Sequence, residues 1–349
     1  MSRWPSVIAA AALAACLLLP AAADAARYAP PRGKVLQGGT GGYDAGHMRD
    51  FARRSGRRPA VYQFFFTPGW RGHDQRSLNW QRGLLRLAAE QHVRPMFALS
   101  TAEGGHGGSA VSPGGLASGA GDGYLIDLNG LAADSGQVLY VRLMAEMNNW
   151  NNPYSAFGPS GRFRGRAHST RSFRNAWRRA ALVLRGGPVA GINRRLRRLG
   201  LPPVRSDRVA LPRPRLALQW VPFTAGLPNV RGNGPGAYWP GSRYVDWVGT
   251  DFFANSPNFR GLNRFYRDRR WRRKPFVFGE WALWGREDPR FVRRFFGWIR
   301  HHRRVGMVVY NQGSGLKRML RLGSFPRSSR ELRRQLRGPA FGFYPAELR

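Results

Sequence analysis

Two glutamates in this chain stand where an apolar run gives way to a polar, aromatic stretch. Glu146 follows V-L-Y-V-R-L-M-A at 138–145, and Glu280 follows P-F-V-F-G at 275–279. Two carboxyl groups that face one another across a cleft can cleave a glycosidic bond. One, protonated, donates to the leaving oxygen; the other, ionised, attacks the anomeric carbon, and a retaining pair needs a separation of about 5 Å. Sugar rings present apolar C–H faces, so flat aromatic side chains beside the acids would hold them. Trp150, Tyr154, Trp220, Trp239, Trp281 and Trp284 all fall at or just beyond the C-terminal ends of apolar runs. Arg142 shares a strand face with Met144 and Glu146 if the alternation of a strand carries through. Asn148 lies in the asparagine-rich stretch that follows. A single glutamate at a strand end, in a chain so rich in arginine, reads as a structural ion-pair partner. Two of them, each flanked by tryptophans, read better as an active site.

The elements that must position these residues are legible as an alternation. Strands are expected over 34–39, 60–66, 94–100, 137–147, 215–223, 244–253, 274–283 and 305–312, all short and nearly continuously apolar, as strands covered on both faces are. Between them the 3.6-residue spacing of apolar side chains predicts helices over 77–92, 172–187, 261–270 and 288–303. Ser172 is the expected cap and Gly186 the expected stop of the second of these. Strands and helices in alternation argue for a parallel sheet. Eight such units fit an α/β fold, a single (β/α)8 TIM barrel with long βα loops, in which Glu146 ends the fourth strand and Glu280 the seventh, both on the face where such barrels keep their chemistry. An open doubly wound sheet is the alternative, and no G-x-G-x-x-G follows the first strand to support it. Two glycine-rich stretches, 103–123 and 224–242, read as loops on the same face.

Three stretches carry a family resemblance: V-R-L-M-A-E-M-N-N-W at 141–150, Y-V-D-W-V-G-T-D-F-F at 244–253 and K-P-F-V-F-G-E-W-A at 274–282. In this order and spacing the chain resembles glycoside hydrolase family 26, the endo-β-mannanase-like family within the retaining-glycosidase clan A. The resemblance implies the barrel, a polysaccharide substrate of mannan type and no cofactor. It implies that Glu146 is the acid/base, Glu280 the nucleophile and Trp150 a sugar-stacking residue. Asp251 falls at the end of the sixth strand, where it could bind sugar hydroxyls or serve as a structural cap of the loop. Two positions depart from the family pattern. Ala145 stands where a histidine commonly precedes the acid/base, and Phe252 or Phe253 where a tyrosine commonly offers its hydroxyl to the nucleophile.

Composition bounds the rest. The 349 residues carry 57 Lys+Arg against 19 Asp+Glu, a formal charge of +38, almost all of the excess being arginine. Such a balance suits a polyanion partner, but clusters such as R-R-L-R-R at 194–198 and R-D-R-R-W-R-R-K at 267–274 recur along the chain and form no single basic tail. A second class of reading therefore stands beside the hydrolase: a non-catalytic extracellular barrel that grips polysaccharide, neutral or anionic, through arginine and tryptophan. No nucleic-acid motif is present. Residues 1–25 read as a secretory signal peptide, with an apolar core too short to span a membrane and a small-x-small site at 23–25, leaving 26–349 as a secreted domain expected to work as a monomer. L-A-A-C at 13–16 leaves lipid anchoring through Cys16, the only cysteine, as a minor alternative. None of the seven histidines forms H-E-x-x-H, and neither a phosphate loop nor a nucleophile elbow occurs, so no metal or cofactor is indicated.

Overall fold

The computed structural model describes residues 27–70, 73–102, 110–313 and 318–349; the expected leader with Cys16 and residues 103–109 of the first glycine-rich stretch lie outside these. Eight parallel strands close into a barrel in chain order: β1 (Leu36–Thr40), β2 (Val61–Phe66), β3 (Arg94–Leu99), β4 (Leu139–Leu143), β5 (Leu216–Trp220), β6 (Trp247–Phe253), β7 (Phe276–Ala282) and β8 (Val305–Asn311), with β8 returning to β1. A short two-stranded pairing of 187–188 with 210–211 lies outside the barrel.

The helices run α1 (Ala45–Ser55), α2 (Gln75–Glu90), α3 (Pro113–Ala117), α4 (Asp122–Asp134), α5 (Thr170–Arg185), α6 (Val189–Arg198), α7 (Phe259–Arg267), α8 (Pro289–His301) and α9 (Pro326–Leu336). In the described part of the stretch 103–123, α3 and the start of α4 interrupt the expected loop, α3 being capped by Ser112 accepting from the Gly115 amide. α5 begins two residues before the expected cap. Ser169 is its N-cap and accepts from the Ser172 amide, while Gly186 ends it at φ 67°, as its lack of a Cβ allows. The fifth unit carries no α-helix: from β5 to β6 the chain makes only two single 3-10 turns, 235–238 and 242–244.

Strand alternation sorts the core into two shells. One residue set, including Leu36, Val61, Met96, Tyr140, Ala217, Trp247, Val277 and Met307, fills the barrel interior. The other, rich in Phe and Trp, lies between the strands and the helices. The N-terminal end of the barrel is stoppered by the chain's own tails. Trp247 Nε1 donates to the Arg27 carbonyl at 2.9 Å, Tyr140 Oη to the Tyr28 carbonyl at 2.7 Å, and Arg94 pairs with Glu347. Access from water to the interior is therefore from the C-terminal end.

Candidate active site

β4 stops at Leu143, four residues short of the expected end. Met144 and Glu146 adopt φ 43° and 52°, the left-handed region, with Ala145 between them. Each such residue costs roughly 1–2 kcal/mol, and the surroundings over-determine the turn. Glu146 N donates to the Val221 carbonyl at 2.7 Å, Tyr154 Oη to the Ala145 carbonyl at 2.6 Å, and Asn152 Nδ2 to the Glu146 carbonyl at 3.0 Å. Strain held this way at a strand end is a device for aiming one side chain. The strand alternation does not reach Glu146. The turn, and not a shared face with Arg142, brings its carboxyl over the barrel mouth.

Glu280 is aimed by a different irregularity. Phe278 is opposite Thr250 and Trp281 opposite Phe252, so β7 spends three residues where β6 spends two, and the same offset appears against β8. This is a bulge. It turns both Gly279 and Glu280 inward. A Cβ on Gly279 would lie 2.8 Å from Arg142 Nε and 3.0 Å from Asp251 Oδ1, so only glycine leaves room for the guanidinium that holds Glu280.

Arg142, inward on β4 and buried, is the hub. Its Nη1 pairs with Glu280 and its Nη2 with Asp251. Asp251 Oδ1 also accepts from the Glu280 amide at 2.7 Å. Asn311, the last residue of β8, donates to Glu280 Oε2 at 2.5 Å and is itself pinned by accepting from the Gly313 amide at 2.6 Å. Glu146 is held more lightly: Asn149 Nδ2 donates to its Oε2 at 3.0 Å, and its carboxyl lies within hydrogen-bonding reach of Asp251. Three carboxyls thus surround one guanidinium. Burial, then the charge of Glu280, push the Glu146 carboxyl above its ordinary value against the pull of Asp251, Arg142 and Asn149. Burial also drives Asp251 well above the usual carboxylate range, Arg142 opposing and the two glutamates adding.

Of the ten expected site residues, Glu146, Glu280, Arg142 and Asp251 meet. Asp251 is fully buried beneath the two glutamates, so it organises the site and does not reach a sugar hydroxyl. Trp150 and Trp284 stand exposed, at 37% and 38%, beyond β4 and β7, where a sugar face can reach them. The other four expectations are corrected. Trp220 and Trp281 are fully buried on the outside of the barrel, Trp220 against Phe265 and Trp271, Trp281 against Phe295 and Tyr310. The reason is alternation: Gln219 and Glu280 face inward, so the residues after them face out. Asn148 is buried, and both ends of its amide are spent on the loop after β5, donating to the Phe223 and Ala225 carbonyls and accepting from the Phe223 amide. Tyr154 is buried behind the acid turn and serves Ala145. Of the two phenylalanines on β6, Phe252 packs outward on Phe291 and Phe295, while Phe253 meets Trp284 at 4.9 Å on the mouth side.

Asn311 escaped the sequence reading. Its signal is the same one that marked the glutamates: a polar residue ending an apolar strand. Trp80 on α2, where a helical tryptophan reads as core, is 45% exposed and packs on Tyr43 and Phe66 near the C-terminal end of β2.

A closed (β/α)8 barrel of eight parallel strands, with Glu146 and Glu280 at its C-terminal end above the buried Arg142 and Asp251, is built on a fold that solved structures share. An endo-β-1,4-mannanase of Cellulomonas fimi superposes with a TM-score of 0.60 at 15% identity, over 91% of this chain and 74% of that one. The family 26 endo-β-1,4-mannanase catalytic domain of Bacillus sp. JAMB-750 gives 0.57 at 10%, over 90% and 88%. GH26A of Muricauda sp. gives 0.54 at 14%, over 91% and 92%. The chain therefore has a family-26-like fold. No protein-family model matches the sequence, and no curated protein does.

Proposed function

We propose that the chain is a retaining β-glycoside hydrolase acting on a mannan-type polysaccharide. The observation that carries this reading is that Glu146 and Glu280, 134 residues apart in sequence, both lie at the C-terminal end of the barrel, Glu146 on the turn after β4 and Glu280 on the bulge of β7 paired with Arg142 of β4. Glu146, raised by burial and by the second glutamate, is the proton donor to the glycosidic oxygen. Glu280, held by Arg142 and Asn311, attacks the anomeric carbon, and the bond to the leaving sugar breaks as the Glu146 proton passes to it. Water then enters, Glu146 takes its proton, and the glycosyl ester on Glu280 is cleaved with the configuration retained. Trp150 and Trp284 stack the sugars on either side. Likeness to mannanases supports the choice of mannan; the fold by itself leaves the substrate open. The leader read at 1–25 supports export, and among the described residues no helix is long and apolar enough to cross a membrane.

The test is the mature protein on mannan, galactomannan, β-glucan and xylan, with reducing ends counted and the first-formed anomer read by proton NMR. Release from mannan with the β-anomer first is the expected result. First release of the α-anomer would remove the covalent step. Binding to mannan with no release from any of the four would replace the hydrolase with a glycan-binding barrel.

A further inference from the structure

The helix missing from the fifth unit leaves a gap along the outside of the barrel. Part of it is filled by Trp220, Trp239 and Trp271, whose ring centroids are 4.9 to 5.4 Å apart. Beside them the chain between β5 and β6 leaves a cavity of about 480 Å³ against the C-terminal end of α7. It runs on into a second of about 560 Å³, lined by Arg264, Arg267, Asp268, Arg269 and Arg270. The two share Arg264, Asp268 and Arg270, so they form one groove. Its only acid, Asp268, is already spent on Arg270, at 2.9 Å to Nε and 2.5 Å to Nη2. Gly236 makes room for that arginine, since a Cβ there would collide with its guanidinium. Arg264, Arg267 and Arg269 are exposed and make no hydrogen bond or ion pair with the described residues.

We propose that this groove binds an anionic polysaccharide, through carboxylate or sulfate groups spaced along the polymer. Three unspent guanidinium forks on one wall match the planar geometry of such groups, which a lysine patch would not. The opposite wall is backbone rich in glycine, Gly226, Gly232, Gly234 and Gly236, and admits a bulky chain. The aromatic rings at the groove, Phe265 and Trp271, are buried, so nothing is offered for bases to stack on and single-stranded nucleic acid is disfavoured. The groove is tied to the segment that carries Glu146. Ala225 lines it, and the Ala225 carbonyl accepts from Asn148 Nδ2 at 3.0 Å, two residues after Glu146. The guiding of a polymer from groove to cleft rests on the hydrolase reading; the binding itself does not.

The experiment is equilibrium binding of labelled heparin and labelled polygalacturonate, with galactomannan as the neutral arm, across a salt series. The Arg264→Glu/Arg267→Glu/Arg269→Glu variant is compared with a charge-matched control, Arg194→Glu/Arg195→Glu/Arg198→Glu, on the exposed face of α6. Loss of three groove contacts should weaken both anionic polymers about ten-fold or more and leave galactomannan unchanged, while the control stays within about two-fold. Heparin alone responding narrows the ligand to sulfated chains, polygalacturonate alone to uronates, and either supports the groove. Equal losses in the two variants would mean that net charge does the binding, and the proposal falls. It falls equally if a single-stranded oligonucleotide binds tighter than both polysaccharides with the same sensitivity to the groove variant. Reducing-end release is scored separately, so failure of hydrolysis and failure of the groove are distinct results.

Discussion

The turn after β4 and the bulge in β7 each deliver a glutamate to the same mouth, and they do it by opposite means. Glu146 rides on a loop: two left-handed residues lift it off the strand, and one asparagine amide and a neighbouring carboxyl are its side-chain partners. Glu280 stays inside its strand, fixed by Arg142, by Asn311 and through its own amide by Asp251. A group that must give up and recover a proton needs a site in which both forms are tolerated. A group that must attack one carbon along one line needs a site that permits a single orientation. The difference between the two surroundings supports the proposed roles more than the presence of two acids does.

Exchanging each acid for its amide is the strongest way to break that comparison. Glu280→Gln should abolish turnover, by on the order of 10⁵-fold or more, on polysaccharide and on an aryl glycoside alike, since no leaving group compensates for a missing nucleophile. Glu146→Gln should cost roughly 10²–10⁴-fold on polysaccharide yet retain much of the first step on a dinitrophenyl glycoside, whose leaving oxygen needs no proton. Stopped-flow release of the phenolate reads both. The reverse pattern would exchange the roles.

The bulge offers a sharper cut. Gly279→Ala changes no functional group, but its methyl would press on Arg142 Nε and Asp251 Oδ1. A shift of this clamp by about 1 Å should lower kcat about 10²-fold. The circular dichroism spectrum should stay that of the wild type. Unaltered kcat would mean that Glu280 does not depend on the clamp. Asn311→Ala should do less. It removes one hydrogen bond to a carboxyl group, worth about 1.5–3 kcal/mol, and should lower kcat by roughly ten- to hundred-fold with KM little changed. In this chain the mouth-side position on β6 is Phe253, without a hydroxyl, so the amide from β8 is the side-chain donor to that oxygen of Glu280.

Much of this is legible in the sequence. Eight apolar runs in alternation with helical periods gave the barrel, and the two acids that end runs four and seven are the ones that meet. The failures have two physical origins. Position at the end of an apolar run was read as facing the mouth for Trp220 and Trp281, and nearness in sequence to Glu146 as nearness in space for Asn148 and Tyr154. A strand sends neighbours to opposite faces, so the tryptophan next to an inward glutamate was bound to point out. Applied at Gln219 and Glu280, that same alternation would have removed both tryptophans. What no pattern announced was the bulge at Gly279 and the left-handed pair around Ala145, because both are set by neighbours distant in the chain. The fifth unit is a middle case: its glycine-rich stretch was readable as a loop, but the groove it leaves is a matter of packing.

The mildest change bears on the proton itself. Asn149 Nδ2 donates to Glu146 Oε2 at 3.0 Å, a contact that favours the ionised form and so pulls the carboxyl down against burial and the charge of Glu280. In Asn149→Ala that pull is gone, the ionised form is less stable, and Glu146 keeps its proton to higher pH. The general acid is lost when Glu146 ionises, so the basic limb of the kcat/KM profile should move to higher pH, with the plateau close to that of wild type. The acidic limb should stay where it is. Movement of the acidic limb alone would mean that the lightly held carboxyl is the base form in the free enzyme and would reverse the contrast between the two turns. Movement of both limbs together would mean that Glu146 titrates with its buried neighbour Asp251 as a unit, and that neither limb belongs to one residue.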